Sequence, residues 1–515
     1  MKQLIKVDIK KVKADFTERK TDLLVVGMFE GDKGTEKQYS KLNNQLKNGI
    51  SRLIKLGDFK GKLKSTALIY GTDKSAADRV LLVGLGDKKK FEPDNLRQAA
   101  AVAASKAVEL KAKKSVFAIH HGIGNKCDAQ QAGQVIAEGI YFGSYRYDEY
   151  VTKEENGRSK KLSVEIAENK SSVLTKLGKG MTVGGIIGEA QSYARTLSNR
   201  PANVINPPEL AKEARKLARQ IPGLTCTVFN KSKLKQKKMG GVLAVGSGSA
   251  SEPRFIVLRY NPRSGKGKAP TVCLVGKAIT FDSGGISIKP SSGMQDMKLD
   301  KSGGISVLGA MRAIAKLKPK VKVFGIIPSA ENMPSGTSYR PGDIVTTYSG
   351  KTVEVHNTDA EGRMVLIDGI HYATEQKPDA IVDIATLTGA CMVALGKHKA
   401  GLMGSDDKLI EQIKQASELS GEKVWQLPCG EEYLEDMKSK IADLKNVGGK
   451  WGGACTAAAF LRNFAGKCKW AHIDMAGVDM FEGGKAGQAP GSSGFGVRLL
   501  SSFVLNTAGK TAKKK

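Results

Sequence analysis

Short apolar runs alternate with amphipathic stretches along the first third of the chain. Residues 23–27, 67–70 and 80–86 are apolar runs of strand length, which is typical of buried strands. Apolar residues recur at helical spacing in 95–110 and 128–142. Strands that alternate with helices predict a parallel or mixed sheet flanked by helices.

The same alternation continues through the larger, C-terminal part of the chain. Strands are predicted at 255–259, 271–275, 321–327, 380–384 and 470–476, and helices at 185–197, 207–219, 302–317 and 363–376. Residues 150–171 are polar and rich in charge, as expected near a domain boundary. We therefore predict an α/β protein with an N-terminal domain over 1–165, a linking helix region over 166–190, a larger C-terminal domain over 191–500 and a basic tail over 501–515.

The amino-acid composition is typical of a globular protein without a membrane segment. The 515 residues are 40% hydrophobic and 26% charged, which is ordinary for a globular protein. No apolar run approaches the roughly 18–20 residues of a membrane span, and residues 3–10 alternate like a strand instead of forming a signal peptide. We expect a cytoplasmic protein with no membrane segment. The seven cysteines contain no Cys-x-x-Cys pair, so reduced thiols are expected.

The net charge is high. The 82 basic and 51 acidic residues leave a net charge of +31, with lysine-rich runs at 231–238 and 510–515. A positive field attracts nucleic acid, so a DNA-binding or regulatory role is an alternative function. Neither run carries aromatic residues for base stacking, which favours solvated lysine side chains.

Four carboxylates lie at turns beside apolar strands between residues 275 and 363: Asp282, Asp300, Asp359 and Glu361. Two carboxylates about 4 Å apart repel by roughly 4 kcal/mol at an effective dielectric of 20. Four in one pocket therefore require protons or divalent cations. Oxygen ligands in this number favour two hard or borderline ions. Taken singly, each acid is also compatible with an ordinary solvated loop.

Local spacing supports a cluster. Asp282 precedes two glycines, which let the backbone approach an ion closely. Asp359 and Glu361 are two residues apart, so in an extended segment their side chains project to the same side, with Arg363 along the same edge. The residues alone favour salt bridges for the nearby Lys277.

Three segments carry a resemblance to a known family. Residues 275–290, 297–300 and the heptapeptide Asn-Thr-Asp-Ala-Glu-Gly-Arg at 357–363 resemble the signature of the M17 leucyl aminopeptidase family. The likeness extends from residue 197 to about residue 496. It implies a metal-dependent aminopeptidase that cleaves N-terminal residues from peptides and assembles as a homohexamer. The domain over 191–500 would be the catalytic one, and the N-terminal domain would serve assembly.

The resemblance also implies a set of metal ligands. Two divalent ions, Mn²⁺ or Zn²⁺, would activate a shared water. Asp282 and Glu361 would bridge both ions, Asp359 would hold the first, and Asp300 and a neutral Lys277 would hold the second.

It further implies catalytic and substrate-binding residues. Lys289 would stabilise the oxyanion, and Arg363 would bind bicarbonate as the general base; either could instead form plain salt bridges. The pocket for the substrate's first side chain would be lined by Met297, Thr386, Gly389 and Ala476, which suits leucine-like residues. Asp479 stands where the family often has an uncharged residue, which predicts tolerance for polar or basic side chains.

Other enzyme classes fit the sequence less well. A two-metal phosphoesterase would use a similar carboxylate cluster but more histidine, and only His356 lies at the edge of the signature. The absence of His-Glu-x-x-His and Gly-x-Ser-x-Gly motifs argues against a zincin protease and a serine hydrolase. Residues 83–86 resemble a nucleotide-binding motif only weakly and predict a tight turn.

Overall fold

The structure is a computed structural model that describes residues 5–152, 161–262, 269–484 and 487–512, with side chains described as far as residue 509. The chain divides into two compact units. Unit 1 comprises residues 1–192 and 482–490, and unit 2 comprises 193–481 and 491–515. The predicted catalytic range 191–500 therefore includes a short stretch, 482–490, that belongs to unit 1.

Unit 1 contains a largely parallel sheet. Its strands are β1 (Lys6–Val12), β2 (Leu23–Met28), β3 (Thr66–Tyr70), β4 (Arg79–Gly84), β5 (Ser115–Phe117) and β6 (Lys161–Ala167), in the order β1-β6-β5-β2-β4-β3. Neighbours pair in parallel except for β3 and β4. Every residue of β2 is buried, as expected for a strand covered on both faces.

Helices flank this sheet. They are α1 (Lys37–Gln45), α2 (Gly49–Leu56), α3 (Pro93–Glu109), α4 (Ala129–Ser144) and α5 (Ser171–Asn199). Asp128 begins α4 by accepting hydrogen bonds from the N–H groups of Gln130 and Gln131. The helix predicted at 185–197 is wrong in its start, because α5 begins at Ser171. It covers most of the predicted linking region and continues from unit 1 into unit 2.

Unit 2 contains a larger mixed sheet and two small ones. Its strands are β7 (Leu224–Phe229), β8 (Arg254–Tyr260), β9 (Thr271–Gly276), β10 (Ala278–Asp282), β11 (Lys322–Asn332), β12 (Ile344–Thr346), β13 (Thr352–Glu354), β14 (Ala380–Ala385), β15 (Ala400–Gly404), β16 (Val424–Gln426), β17 (Leu444–Lys445), β18 (Trp470–Asp474), β19 (Met480–Phe481) and β20 (Gly491–Ser492). The main sheet has the order β16-β15-β18-β14-β9-β11-β8-β7, and β10 pairs with β11.

The helices of unit 2 include both long amphipathic and short connecting ones. They are α6 (Pro207–Gln220), α7 (Lys231–Gln236), α8 (Gly240–Val245), α9 (Ser302–Leu317), α10 (Glu361–Thr374), α11 (Gly389–Leu395), α12 (Asp407–Ser420), α13 (Glu431–Glu435), α14 (Gly453–Arg462) and α15 (Val497–Ala512). The predicted tail at 501–515 is wrong in its first part, because α15 continues through it and Phe503 and Val504 are buried. Residues 513–515 lie outside the described residues.

The centre of the main sheet positions the chemistry. Strands β11, β9, β14 and β18 run parallel to one another, so their carboxyl ends meet at one edge. Strand β10 pairs in parallel with the end of β11 and adds Asp282 to the same edge. Open parallel sheets bind ligands at this edge.

The predicted α/β class is confirmed in both units, each of which has a mainly parallel or mixed sheet with helices. All seven cysteines are free thiols. Within the described residues, no helix combines the length and the apolar character needed to cross a membrane.

Candidate metal centre

The four predicted acids converge although they come from different elements of unit 2. Asp282 ends β10, Asp300 follows the 3₁₀ turn Met294–Leu299, Asp359 lies in the turn before α10, and Glu361 is the first residue of α10. Carboxylate oxygens of Asp282, Asp359 and Glu361 all lie within 4.8 Å of one another. Asp300 joins them through the ammonium group of Lys277.

The geometry of the 359–361 segment differs from the sequence expectation. The two acids do not lie on an extended segment, because residues 358–359 form a turn and the helix α10 starts at Glu361. A carboxylate in the first turn of a helix interacts favourably with the helix dipole. The turn and the start of the helix, instead of an extended segment, therefore bring Asp359 and Glu361 into one cluster.

Lys277 lies between two of the acids. Its Nζ is 2.8 Å from Asp300 Oδ1 and 2.8 Å from Glu361 Oε1, and it donates a hydrogen bond to Thr386 O over 2.8 Å. Although burial lowers the pKa of Lys277, the carboxylates of Asp300 and Glu361 outweigh it and raise the pKa above its usual value. Without a metal ion, Lys277 is therefore a buried ammonium group that neutralises two carboxylates.

Lys289 bridges the other pair of acids. Its Nζ is 2.8 Å from Asp282 Oδ2 and also contacts Asp359 Oδ1. The Lys289 side chain is 22% exposed, whereas that of Lys277 is 4% exposed. Lys289 therefore reaches the cluster from its more open side.

The surroundings of these acids disfavour their charged forms. Burial, followed by the repulsion from Asp282, raises the pKa of Glu361 and of Asp359. Burial also raises the pKa of Asp300, which the attraction of Lys277 only partly offsets. Asp300 Oδ2 is buried and has no hydrogen-bond partner among the described residues. Excess buried negative charge and an unsatisfied carboxylate oxygen are what bound cations relieve, so these residues fit divalent ions.

Arg363 lies in the first turn of α10. Its Nη1 donates a hydrogen bond to Asn446 O over 2.8 Å, and its buried Nε has no partner among the described residues. Burial lowers the pKa of Arg363 to about 10, against the opposing effect of Glu361. The side chain thus remains a cation at neutral pH with donor capacity left for a small anion.

The predicted substrate-pocket residues come from three segments: Met297 from the 3₁₀ turn Met294–Leu299, Thr386 and Gly389 from the end of β14 to the start of α11, and Ala476 from the loop after β18. Met297, Thr386 and Ala476 are partly exposed and Gly389 is exposed. Thr386 Oγ1 donates a hydrogen bond to Asp300 Oδ1 over 2.7 Å, which joins this loop to the acid cluster. Asp474 accepts hydrogen bonds from Leu387 N–H at 3.1 Å and Ala476 N–H at 3.2 Å. The loops that carry Thr386 and Ala476 are therefore held side by side.

Asp479 is partly exposed. Burial of its carboxyl group raises the pKa of Asp479 to about 7; N–H groups of Asp479 and Gly477 act against this, as does Lys277. The repulsion from Asp474 adds to the shift. Asp479 therefore changes charge near neutral pH.

Three supporting residues were missed by the sequence reasoning. Asn332 donates hydrogen bonds to Asp282 Oδ1 at 2.8 Å and to Thr358 O at 3.0 Å. Asn446 donates to Asn357 O over 2.7 Å, and its main-chain oxygen accepts from Arg363. Asp474 is the third. A polar residue at the end of an apolar strand was a usable signal for Asn332 and Asp474, whereas Asn446 lies in a loop without one.

The sequence comparisons agree with this geometry. Residues 192–501 match the profile of the cytosol aminopeptidase family, catalytic domain, and residues 25–154 match that of its N-terminal domain. The chain belongs to the cytosol aminopeptidase family. It is a metal-dependent aminopeptidase that hydrolyses peptides, as the resemblance to the M17 signature predicted.

Relatives match nearly the whole chain. A probable cytosol aminopeptidase of Roseiflexus castenholzii is 44% identical over 93% of this chain and 95% of its own length. One from Aquifex aeolicus is 42% identical over 98% of this chain and 99% of its own length. The family assignment therefore covers both units.

Solved structures share the fold. A tomato leucine aminopeptidase mutant superposes with a TM-score of 0.88 at 32% identity, over 98% of each chain. The bottromycin maturation enzyme BotP in complex with Mn superposes with a TM-score of 0.83 at 33% identity, over 95% of this chain and 99% of BotP.

Proposed function

We propose that this aminopeptidase uses two divalent ions and prefers peptides with a leucine-like N-terminal residue. The observation that carries the proposal is the convergence of Asp282, Asp359 and Glu361 within 4.8 Å, with Asp300 and Lys277 alongside. Four acids exceed what one ion requires. When bound, the two ions would supply Lewis-acid polarisation of the scissile carbonyl group and a lowered pKa for water.

The proposed ligands divide into two groups. Asp282 and Glu361 would contribute to both ions, as the resemblance to the family implies; both side chains are buried and lie within the same group of three acids. Asp359 would hold the first ion, and Asp300 and Lys277 the second. Lys277 Nζ lies within 2.8 Å of both Asp300 and Glu361, so loss of its proton would turn a salt-bridge partner into an amine ligand.

The proposed catalytic roles follow from access and charge. Lys289 is the more exposed of the two lysines, and it would stabilise negative charge on the carbonyl oxygen of the substrate. Arg363 retains an unpaired buried Nε among the described residues and a planar guanidinium group, which suits a small oxyanion such as bicarbonate acting as the general base. His356, the histidine next to the heptapeptide motif, pairs with Glu354 over 2.9 Å.

The proposed side-chain pocket is formed by Met297, Thr386, Gly389 and Ala476. Its methyl, thioether and glycine surfaces favour an aliphatic side chain, and the structural relative from tomato is a leucine aminopeptidase. Asp479 adds a carboxyl group near this region, which would extend the range of substrates to polar or basic residues.

The ion in cells is proposed to be Mn²⁺ or Zn²⁺, both of which accept carboxylate and amine ligands. The manganese complex of BotP supports Mn²⁺ by analogy. A homohexameric assembly and a cytoplasmic location remain proposals; the names of the curated relatives support the location. DNA binding remains a prediction from the +31 net charge alone.

The decisive experiment measures release of leucine anilide by the purified protein before and after chelation. We expect activity to disappear on chelation and to return with Mn²⁺, with at least two ions bound per chain at full activity. Turnover that survives chelation, or a single ion at full activity, would overturn the two-metal proposal. A bis-aryl phosphate should not be hydrolysed, and DNA retention is to be tested separately in Asp359→Ala.

A further inference from the structure

A second group of potential metal ligands lies in unit 1. Strands β5 and β6 are parallel neighbours with Phe117 opposite Ile166. The chain leaves β5 and enters the 3₁₀ turn Ile119–Gly122, which carries His120 and His121. Glu168 follows directly after β6. The topology therefore brings two imidazoles and one carboxylate to the same edge of the sheet, where parallel sheets bind ligands.

The distances from Glu168 to the two histidines are close to those between ligands of one ion. Glu168 Oε2 lies 3.6 Å from His120 Nε2 and 3.9 Å from His121 Nε2. One ligand atom from each of the three residues lies within 4.8 Å of the others. These separations are too long for hydrogen bonds. Two ligands at about 2.0–2.1 Å from a tetrahedral ion are separated by about 3.3 Å, which is close to the observed spacing.

His120 is a buried side chain whose ion-pair partner, Glu168, lies beyond hydrogen-bond distance. The residue is 8% exposed, and neither of its ring nitrogens has a hydrogen-bond partner among the described residues. Leaving a buried polar group without a hydrogen bond is destabilising, so an interaction that satisfies the ring nitrogens of His120 would stabilise the fold. Its Nε2 is directed towards Glu168 Oε2, and an ion between the two atoms would satisfy both.

The Glu168 carboxylate is buried, held in one orientation and not neutralised by a lysine or arginine among the described residues. It is 5% exposed, and its Oε1 accepts a hydrogen bond from Lys170 N–H over 2.7 Å, which leaves Oε2 facing both histidines. No lysine or arginine among the described residues forms an ion pair with this carboxylate. A fixed orientation of the ligating carboxylate is typical of metal sites.

A backbone oxygen completes the group. Ala167 O lies 3.1 Å from His121 Nε2, so in the absence of an ion that nitrogen donates a hydrogen bond to the carbonyl group. To hold an ion through Nε2, His121 would carry its proton on Nδ1 instead, and Ala167 O would then be free to act as a fourth donor. The His121 side chain is 21% exposed, which gives an ion a route from solvent.

We propose that His120, His121 and Glu168 form a binding site in unit 1 for one divalent transition-metal ion of the zinc type. Two imidazoles and a carboxylate are ligands that zinc accepts readily. The site is built from residues of unit 1 alone, whereas the aminopeptidase acids all belong to unit 2. Its ion joins the 3₁₀ turn after β5 to the end of β6 and stabilises the folded state of unit 1.

The first test counts ions in the full-length protein. Wild type, His120→Asn, Glu168→Gln and His398→Asn are equilibrated with Zn²⁺, freed of excess metal and analysed by mass spectrometry for zinc per chain. His398 is an exposed histidine of unit 2 and serves as the matched control. We expect His120→Asn and Glu168→Gln to hold one ion fewer than wild type and His398→Asn, with leucine anilide turnover within about twofold of wild type. Equal zinc content in all four proteins would overturn the proposal.

The second test uses an unsubstituted site and remains decisive if the substituted proteins fail to fold. Amide hydrogen exchange is measured with and without Zn²⁺ in peptides that cover residues 115–124 and 161–170. We expect zinc to slow exchange in both peptides several-fold, in wild type and equally in Glu361→Gln, whose aminopeptidase centre is impaired. Unchanged exchange in these peptides, or protection that disappears in Glu361→Gln, would show that no separate ion binds there.

Discussion

Asn332 donates a hydrogen bond from its side-chain amide to Asp282 Oδ1 over 2.8 Å, and both side chains are buried. The same amide group donates to Thr358 O over 3.0 Å. Asn332 therefore fixes the carboxylate that would bridge the two ions, and it also holds the turn that carries Asp359. A neutral residue achieves this without adding charge to the cluster.

Replacement of Asn332 by alanine should weaken metal binding more than it lowers the stability of the fold. We expect Asn332→Ala to weaken metal affinity about 10- to 100-fold, as is typical when a partner of a metal ligand is removed. The measurement is activity against leucine anilide as a function of free Mn²⁺. Asn44→Ala, at an exposed position in α1, is the control. Unaltered metal dependence in Asn332→Ala would show that Asp282 is oriented by other contacts.

Lys289→Ala should separate catalysis from metal binding. If Lys289 stabilises the oxyanion, its removal lowers kcat by about 10²- to 10³-fold, while the number of bound ions stays at the wild-type value. Turnover and metal content are measured on the same preparation, with the exposed Lys320→Ala as control. Loss of bound metal in Lys289→Ala would assign it to ion binding instead.

Gly362 provides a steric test of Lys277. A Cβ atom at Gly362 would lie 2.7 Å from Lys277 Cε and Nζ, because this turn of α10 packs directly against the lysine. Gly362→Ala should therefore displace Lys277 and lower metal affinity by about tenfold or more. Alanine is favoured over glycine within a helix by about 1 kcal/mol. We therefore expect no large decrease in melting temperature for Gly362→Ala.

The control for this substitution is Gly336→Ala, because a Cβ atom there meets nothing within 4 Å. Both proteins are compared by thermal unfolding and by activity as a function of free Mn²⁺. If Gly362→Ala retains the wild-type metal dependence, Lys277 does not need its observed position to hold an ion.

The raised pKa of Asp479 leads us to expect a substrate preference that depends on pH. Burial raises the pKa of Asp479 to about 7, so its carboxyl group is neutral below that pH and negative above it. Bound cations shift the midpoint downwards without changing the sign. The ratio of kcat/KM for lysine anilide to that for leucine anilide should therefore rise with pH, by about tenfold if the carboxylate contributes about 1.4 kcal/mol.

The comparison is made with Asp479→Asn, in which the carboxyl group is replaced by a neutral amide of similar size. Because the amide does not ionise, the ratio in this variant should lack the rise with pH and should stay near the low-pH value of wild type. The same rise with pH in both proteins would show that Asp479 does not contact the substrate's first side chain.

Much of the architecture was readable from local pattern. The helix predicted at 302–317 coincides with α9, and the strand predicted at 271–275 differs from β9 by one residue. Such elements have strong periodicity and clear ends, so local sequence is sufficient to predict them. The polar start of α5 and the lysine-containing end of α15 have weaker patterns, and there the predictions were wrong.

The sequence by itself determined the chemistry that is available: four acids, two lysines and an arginine spaced along apolar strands, in a pattern shared with the cytosol aminopeptidase family. Only the tertiary structure decided which polar residues support them. Asn332 lies 50 positions from Asp282, and Asn446 lies 89 positions from Asn357. The pairing of His120 with Glu168 likewise depends on β5 and β6 being neighbours. Contacts between distant positions follow from the order of strands in a sheet, which the packing of the whole unit selects and local periodicity does not encode.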